Sequence, residues 1–515
     1  MSRAQRIAVA LSFILAAFGA PAATAQKGAA PKTISEKSYA RARQVLEAGL
    51  QALGGLDAIR EARDVSLKVK GHQFARNQSV RIDGPFDRTS YDESLYVDLN
   101  NRRYLFETRA EAPGGFVFGG RNIVNGGQGF FVNARDKTVA PMNMANFNNV
   151  FLIRRLPHVM LLALHDGGAQ TLRYLGEDTY DGRRHNVVAA ATPNGVQWTL
   201  YFDASTNLLS KQEIVVSDNL AGDATHEWAF PGYRTVGKLK VPTGRVTRRA
   251  GELIEEVTYD DVQFNTKLPE SAFAKPEGHE ELPTPTPAPT RETKLAEGVH
   301  LFESGANSLV VEFADHLLVV EPYAGGRGSR ATITKLKEMF PAKPVKYVVV
   351  THFHDDHSGG LRPYVAEGAR IVTTRANQKF FERMASSTFT VAPDDQSRAA
   401  RKPAFEFVEN GKRVFTDGRQ SVEVIDVGPN PHAREMLVAY LPKERLVFQG
   451  DLVNLPNSGK YMPTTIIEAT THFLETITRL GLDVERIASV HGPSTTLKEL
   501  REAAGRSRPQ GSGQE

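Results

Sequence analysis

The sequence has no cysteine, only two tryptophans and no strong excess of either charge. The lack of cysteine excludes disulfides, thiolate zinc sites, iron–sulfur clusters and a cysteine nucleophile. Lys and Arg number 63 against 59 Asp and Glu, for a formal net charge of +4. This balance lacks the concentrated basic surface of a nucleic-acid-binding protein, so we expect no nucleic-acid partner. Any bound metal must be held by histidine and carboxylate side chains.

Long hydrophobic runs are also missing. Beyond the N-terminus, no apolar stretch reaches the roughly 20 residues needed to span a bilayer, so we expect no stable membrane insertion. The chain has 515 residues, of which 41% are hydrophobic and 24% charged. These values are ordinary for globular proteins and predict two to four domains.

The first 25 residues have the pattern of a signal peptide. Arg3 and Arg6 precede an apolar run, and Ala23 and Ala25 supply small residues at a cleavage site. We therefore expect cleavage before Gln26, which removes two positive charges. The mature protein is expected to be soluble and periplasmic or secreted.

A proline-rich segment divides the remaining chain. Within residues 281–290, Pro283, Pro285, Pro287 and Pro289 occupy alternate positions, which favours extended geometry and excludes a helix. The pattern predicts a linker at 281–290 between an N-terminal domain at 36–280 and a C-terminal domain at 291–505.

The N-terminal domain is predicted to be α+β and mainly antiparallel sheet. Residues 38–63 have helical spacing interrupted by Gly54 and Gly55, and short alternating segments then continue from Val65 to about Phe264. This order resembles, in architecture and without a diagnostic motif, the curved half-barrels of periplasmic lipoprotein carriers. The glycine-rich stretch 114–129 is interpreted as hairpin turns, with a mobile apolar lip for a ligand as the alternative.

The C-terminal domain alternates differently. Short apolar runs rich in β-branched residues, at 317–320, 347–350, 422–427, 446–448 and 487–490, are interspersed with helical patterns at 330–339 and 470–480. Strands of this composition are typical of sheets covered on both faces, so the pattern predicts a layered α/β fold.

Histidines and aspartates follow the ends of these runs. In an extended segment residues i and i+2 point the same way, so His352 and His354 can bind one ion. Asp356 and His357, past the following turn, can bind a neighbouring ion. His432 supplies a further ligand to the first ion and His491 one to the second.

A carboxylate from Asp451 can bridge the two ions. These residues make seven nitrogen and oxygen ligands, a set suited to two Zn²⁺ ions, with Mn²⁺ or Fe possible. All of them lie downstream of the linker, so we expect residues from about Glu297 onward to fold alone with their metals.

This constellation resembles that of the metallo-β-lactamase superfamily over about residues 297–505. The resemblance rests on the segment His352-Phe353-His354-Asp355-Asp356-His357, followed by His432, Asp451 and His491. It implies an αββα sandwich with a dinuclear site along one edge of the two sheets.

Residues that differ from those of the family's branches narrow the range of expected substrates. True β-lactamases with a similar histidine motif carry a metal-binding Cys and a Lys in the segment that here contains Gly450, Asp451 and Asn454. β-Lactam hydrolysis is therefore disfavoured, and Asp451 resembles the bridging Asp of the glyoxalase-II and lactonase branches. Glu321 stands where the family usually has an Asp.

The sequence thus predicts an exported hydrolase acting on a small-molecule substrate. A metal-bound hydroxide would attack an ester, lactone, thioester or amide, and Asp356, the predicted catalytic residue, would orient it and shuttle a proton. Two alternatives remain open: a sulfate-ester or phosphodiester hydrolase on the same core, or a periplasmic ligand-binding protein with a vestigial metal domain. The sequence leaves the substrate and the oligomeric state undetermined.

Overall fold

The computed structural model describes residues 33–507, apart from 100, 102, 134–136, 143–153, 193–194, 284–289, 304, 324 and 454–465. The predicted signal peptide and most of the predicted linker lie outside the described residues. In the described part of the chain, no helix is long and apolar enough to cross a membrane.

The N-terminal half begins with the predicted interrupted helix. α1 (Ile34–Ala52) and α2 (Leu56–Glu61) are separated at Gly54 and Gly55, which have φ values of 129° and 90°. Backbone of this kind favours glycine and breaks the helix. A third helix, α3 (Pro157–Ala163), follows later in the chain.

Most strands of this half form one 14-stranded sheet, in the order β16-β6-β5-β4-β3-β2-β1-β15-β14-β11-β10-β9-β8-β7. All neighbours are antiparallel except β16 and β6. β12 and β13 form a separate pair. The strands are β1 (Asp64–Phe74), β2 (Arg88–Asp98), β3 (Arg103–Ala112), β4 (Phe116–Asn125), β5 (Gln128–Asn133), β6 (Thr138–Pro141), β7 (Arg173–Tyr180), β8 (Arg183–Ala191), β9 (Gln197–Asp203), β10 (Leu209–Asp218), β11 (Gly222–Ala229), β12 (Tyr233–Val236), β13 (Leu239–Pro242), β14 (Gly244–Arg249), β15 (Glu252–Phe264) and β16 (Glu280–Glu281).

Helices α1 and α3 pack against this sheet. Leu46 of α1 and Met160 of α3 share one core with Trp198, Phe202 and Trp228 of the sheet. The fold class predicted for this half, mainly antiparallel sheet with few helices, is confirmed. The glycine-rich stretch 114–129 contains the β3–β4 and β4–β5 turns, as the hairpin interpretation expects.

The C-terminal half contains two sheets, one of seven strands in the order β17 to β23 and one of six strands in the order β24 to β29. The strands are β17 (Arg291–Ala296), β18 (Val299–Glu303), β19 (Asn307–Glu312), β20 (Leu317–Val320), β21 (Val345–Val349), β22 (Arg370–Thr373), β23 (Ala404–Phe407), β24 (Lys412–Thr416), β25 (Ser421–Asp426), β26 (Leu437–Leu441), β27 (Leu446–Gln449), β28 (Arg486–Ser489) and β29 (Thr495–Thr496). The helices are α4 (Gly325–Met339), α5 (Asp355–Ser358), α6 (Leu361–Glu367), α7 (Gln378–Ser386), α8 (Asp395–Ala399), α9 (Glu468–Arg479) and α10 (Leu497–Ser507).

These elements form four layers. Val320 and Val349 of the first sheet pack against Val424 and Phe448 of the second in one core between the sheets. Helices α4, α6 and α7 cover the outer face of the first sheet, and α9 and α10 cover the outer face of the second. The predicted αββα sandwich is confirmed.

The two halves also contact each other directly. The start of β11 meets a loop of the sandwich, where Asp223 accepts hydrogen bonds from the backbone N–H groups of Thr390 and Val391 at 2.7 and 3.1 Å. A second contact, made by the loop between β1 and β2, lies at the histidine cluster described next.

Candidate metal centre

The predicted ligands of the histidine-rich segment lie where β21 leaves the first sheet. His352 and His354 occupy the stretch between β21 and α5, and Asp356 and His357 lie in the single turn of α5. The strand therefore fixes the first pair, and the helical turn sets the second pair beside it.

The remaining predicted ligands follow strands of the second sheet. His432 lies in the loop between β25 and β26, Asp451 comes directly after β27, and His491 comes directly after β28. β27 and β28 are parallel neighbours, so Asp451 and His491 emerge at the same edge of the sheet. The structure brings all of the sequence-predicted ligands to one place.

They form two groups that share one residue. His352, His354, His432 and Asp451 make the first group, in which one potential ligand atom from each residue lies within 4.8 Å of every other. The second group meets the same limit and consists of Asp356, His357, Asp451 and His491.

Asp451 lies between the groups with one oxygen turned to each. Its Oδ2 is 3.3 Å from Nε2 of His432, and its Oδ1 is 3.1 Å from Nε2 of His357 and 3.4 Å from Nε2 of His491. This is the arrangement expected of a carboxylate that bridges two cations.

Hydrogen bonds on the outer nitrogens orient three imidazoles. Nε2 of His354 lies 2.8 Å from the carbonyl oxygen of Ser79, and Nδ1 of His357 lies 2.6 Å from Oε2 of Glu321. Nδ1 of His432 lies 3.3 Å from the carbonyl oxygen of Pro113. An N–H that donates outward leaves the other ring nitrogen as a lone pair aimed into the site, the form that binds a metal.

The inward atoms fit a divalent cation. Nδ1 of His354 is buried without a hydrogen-bond partner among the described residues. Nε2 of His352 and Nε2 of His432 face each other at 3.2 Å. Buried nitrogen and carboxylate donors without sulfur suit Zn²⁺ in particular.

Burial and neighbouring charges shift the pKa values of the histidines and aspartates in the centre. Burial, together with neighbouring histidines, lowers the pKa of His352 well below its ordinary value, and burial lowers the pKa of His354 to about 3. Both rings are therefore neutral at physiological pH. Although burial opposes ionisation, a protonated His357 holds the pKa values of Asp451 and Asp356 below the usual range, so both carboxylates are ionised. The same ring can bind a metal only after it loses that proton.

Glu321 is a functional residue whose role the sequence did not predict. Its side chain is fully buried, Oε1 accepts a hydrogen bond from the backbone N–H of Thr351 at 2.6 Å, and Oε2 faces His357. Its φ of 76° lies in the left-handed region, which is unusual for a residue other than glycine. The available signal was its place directly after β20, in the position where the family usually has an Asp.

Glu321→Gln is expected to weaken metal binding by the second group by about 10- to 100-fold, the range typical of residues that orient metal ligands. The amide can still accept from Thr351, but its NH₂ would face the N–H of His357 and destabilise the required tautomer. Zinc affinity measured by competition with a chelator checks this. Glu312→Gln, on the neighbouring strand and away from the centre, is the control, and an unchanged affinity in Glu321→Gln would contradict the expectation.

The sequence model of the metallo-beta-lactamase superfamily matches residues 301–491. The 2,4-dinitroanisole O-demethylase subunit alpha of Nocardioides sp. strain JS1661 is 26% identical over 178 residues, which are 34% of this chain and 48% of that protein. The aligned region thus spans about half the length of this curated relative.

Solved structures of metallo-beta-lactamases are also similar. One from Pontibacter korlensis is 21% identical, with a TM-score of 0.33, over 43% of this chain and 100% of that one. FIM-1 from Pseudomonas aeruginosa, in its mono-zinc form, is 21% identical, with a TM-score of 0.32, over 43% of this chain and 96% of that one.

The family match coincides with the four-layered half that carries both ligand groups. Residues 301–491 therefore match the metallo-beta-lactamase superfamily, and this match supports a metal-dependent hydrolase. The predicted family resemblance is confirmed for this part of the chain.

Proposed function

We propose that the protein is an exported hydrolase that uses two metal ions to cleave an ester, lactone, thioester or amide. Zn²⁺ is the proposed metal at both sites. The observation that carries the proposal is the pair of four-residue groups sharing Asp451. Each group offers enough nitrogen and oxygen ligands for one ion, and the shared carboxylate offsets the repulsion between two cations.

In this proposal the residues divide the work. His352, His354 and His432 would hold one ion, Asp356, His357 and His491 would hold the other, and Asp451 would link the two groups. Such ions supply Lewis acidity, which polarises a substrate carbonyl and lowers the pKa of water to about 7.

Asp356 is the proposed catalytic residue. Its Oδ1 accepts a hydrogen bond from Gln78 at 2.8 Å, and its Oδ2 is turned toward Nε2 of His491 at 3.2 Å. Oδ2 therefore faces the second ligand group, where it could accept a proton from water and return it to the leaving group. A pKa below the usual carboxylate range keeps this group ionised.

The proposal is tested by metal analysis and a substrate panel on the full chain. We expect about two zinc ions per chain, hydrolysis of chromogenic esters or lactones, loss of turnover with a chelator and recovery on adding zinc. The panel should include a chromogenic cephalosporin and aryl sulfate and phosphodiester substrates. It should also include 2,4-dinitroanisole, because this compound appears in the name of the curated relative. A chain that binds no metal, or that hydrolyses only sulfate or phosphate esters, would overturn the proposal.

Export to a periplasm or the medium remains part of the proposal. It is supported by the basic and apolar start of the chain and by Ala23 and Ala25 before Gln26. The intact mass of the exported protein decides it, and retention of residues 1–25 would contradict it.

A further inference from the structure

The loop between β1 and β2, residues 75–87, reaches from the N-terminal sheet into the metal centre. Nε2 of Gln78 donates to Oδ1 of Asp356 at 2.8 Å and to Oδ1 of Asp355 at 3.0 Å. The carbonyl oxygen of Ser79 accepts from Nε2 of His354 at 2.8 Å. Two members of the proposed ligand set are thus contacted by residues more than 270 positions upstream.

The loop is held in place by its own domain. Asp87 accepts from the backbone N–H of Val80 at 2.5 Å, and its backbone N–H donates to Oγ of Ser79 at 2.7 Å. Arg76, at the base of the loop, forms a buried ion pair with Asp218 at 3.2 Å. Since these contacts all lie within the N-terminal domain, the loop is preorganised toward the centre by that domain.

The Ser79 carbonyl sets the tautomer of His354. A carbonyl only accepts hydrogen bonds, so Nε2 of His354 must carry the hydrogen. With the hydrogen on Nε2, the neutral ring has its lone pair on Nδ1. This is the same atom that lies buried without a partner among the described residues.

Gln78 sets the rotation of the Asp356 carboxylate. Its NH₂ group has two hydrogens, and neighbouring carboxylates accept from it. The contact engages Oδ1 of Asp356 and leaves Oδ2 for the centre, and it places donor hydrogens between two groups of like charge.

The hairpin turn between β3 and β4 adds a second contact from the same domain. The carbonyl oxygen of Pro113 lies 3.3 Å from Nδ1 of His432, and a Cβ on Gly114 would lie 3.3 Å from the same nitrogen. The turn therefore packs directly on a third candidate ligand, at a position where glycine permits the close approach.

We propose that the N-terminal domain is a structural part of the metal centre, with Gln78 as the positioning residue for Asp356 and the Ser79 carbonyl as the positioning group for His354. This inference rests on the proposed function, because it requires that the two ligand groups bind metal. It assigns a role to the N-terminal domain, which the sequence left without one.

Stepwise zinc affinity of the full-length chain, measured by chelator competition, tests the proposal. Gln78→Ala is expected to weaken the binding of one of the two ions by about 10- to 100-fold and to leave the other near the wild-type value. Asn77→Ala is the matched control, since its amide contacts Asp355 at 3.2 Å and not Asp356. We expect a change of less than about 3-fold in this control, because Asp355 belongs to neither ligand group.

The Gln78→Glu variant shows whether the Gln78 side chain acts by positioning Asp356 or only by filling space. It keeps the size of the side chain but replaces the donor with a third carboxylate beside Asp355 and Asp356, so we expect it to bind the affected ion more weakly than Gln78→Ala does. Binding by Gln78→Glu that is closer to wild type than that of Gln78→Ala would show a space-filling role and overturn the proposal.

Unchanged affinity for both ions in Gln78→Ala, or equal weakening of both, would also overturn the proposal. Thermal unfolding in chelator shows whether each variant is folded. Failure of the proposed function gives a different result, since the wild-type chain itself would then bind no zinc.

Discussion

Asp451→Ala is expected to lower the occupancy of both metal sites, whereas Asp356→Ala should chiefly empty one. Asp451 turns an oxygen to each ligand group, but Asp356 belongs only to the second. Residues that merely orient ligands change metal affinity by about 10- to 100-fold, so loss of a ligand should reduce turnover by at least about 100-fold. Bound zinc per chain and hydrolysis of an ester or lactone are measured across a zinc titration.

Excess zinc distinguishes the two variants further. If Asp356 also handles a proton, restoring occupancy should rescue Asp451→Ala more than Asp356→Ala. Asp483→Ala is the control, because Asp483 is 70% exposed and pairs with Arg445 away from the centre. Full metal content with unaltered turnover in Asp451→Ala would show that Asp451 is only a turn residue at the end of β27.

Glu93→Ala is expected to destabilise the N-terminal domain by about 3–5 kcal/mol, the range for removing one partner of a buried ion pair. Oε1 of Glu93 accepts from Nε of Arg155 at 2.6 Å, and both side chains are almost fully buried. Tyr91 donates to Oε2 of Glu93 at 2.7 Å, so the substitution also removes the acceptor of a buried hydroxyl.

Tryptophan fluorescence during denaturation reports this loss selectively. The two tryptophans of the chain, Trp198 and Trp228, both lie in the N-terminal core. Glu107→Ala is the control, since Glu107 is 56% exposed and lies 3.5 Å from Arg121. An exposed pair of this kind contributes about 0–1 kcal/mol. Equal shifts of the fluorescence transition in both variants would contradict the prediction.

The same pair predicts loss of stability in acid. Although burial opposes ionisation, Arg155 lowers the pKa of Glu93 to about 2, below its value of about 4.3 in an unfolded chain. The contribution of Glu93 to folding stability is therefore fully present above the unfolded value and is lost as the pH falls toward 2. The free energy of unfolding should depend less on pH over this range in Glu93→Gln.

The sequence predicted the metal centre well where its residues follow strands. His352 and His354 are two positions apart beyond a β-branched run, and Asp451 and His491 each follow another such run. Because strands bring their ends to common edges of a sheet, short spacing and strand order were enough to group these side chains.

The sequence could not predict the support around the ligands. The carbonyl oxygens of Ser79 and Pro113 belong to the backbone, so residue type does not reveal their role. Gln78 lies 278 positions from Asp356, and only the path of the chain between them brings the amide to the carboxylate. The prediction that residues from about Glu297 onward fold alone with their metals did not anticipate these contacts.

The sequence was enough to predict an antiparallel sheet in the N-terminal half, but not which of its strands pair. Alternating segments indicated strands, and neighbouring strands pair through short turns. By contrast, β1 pairs with β15 along nine residues, from the two ends of the domain. Such a pairing has no local signal, because the register depends on every strand between them.

The position of β1 within the sheet limits how this protein can be recombined. β1 is flanked by β2 and by β15, so the loop that carries Gln78 grows from the interior of the sheet and not from a free edge. A chimera made by exchanging the N-terminal half for another sheet domain would have to present an amide and a carbonyl at the same two points. In protein engineering the two halves should therefore be exchanged together, although a proline-rich segment joins them.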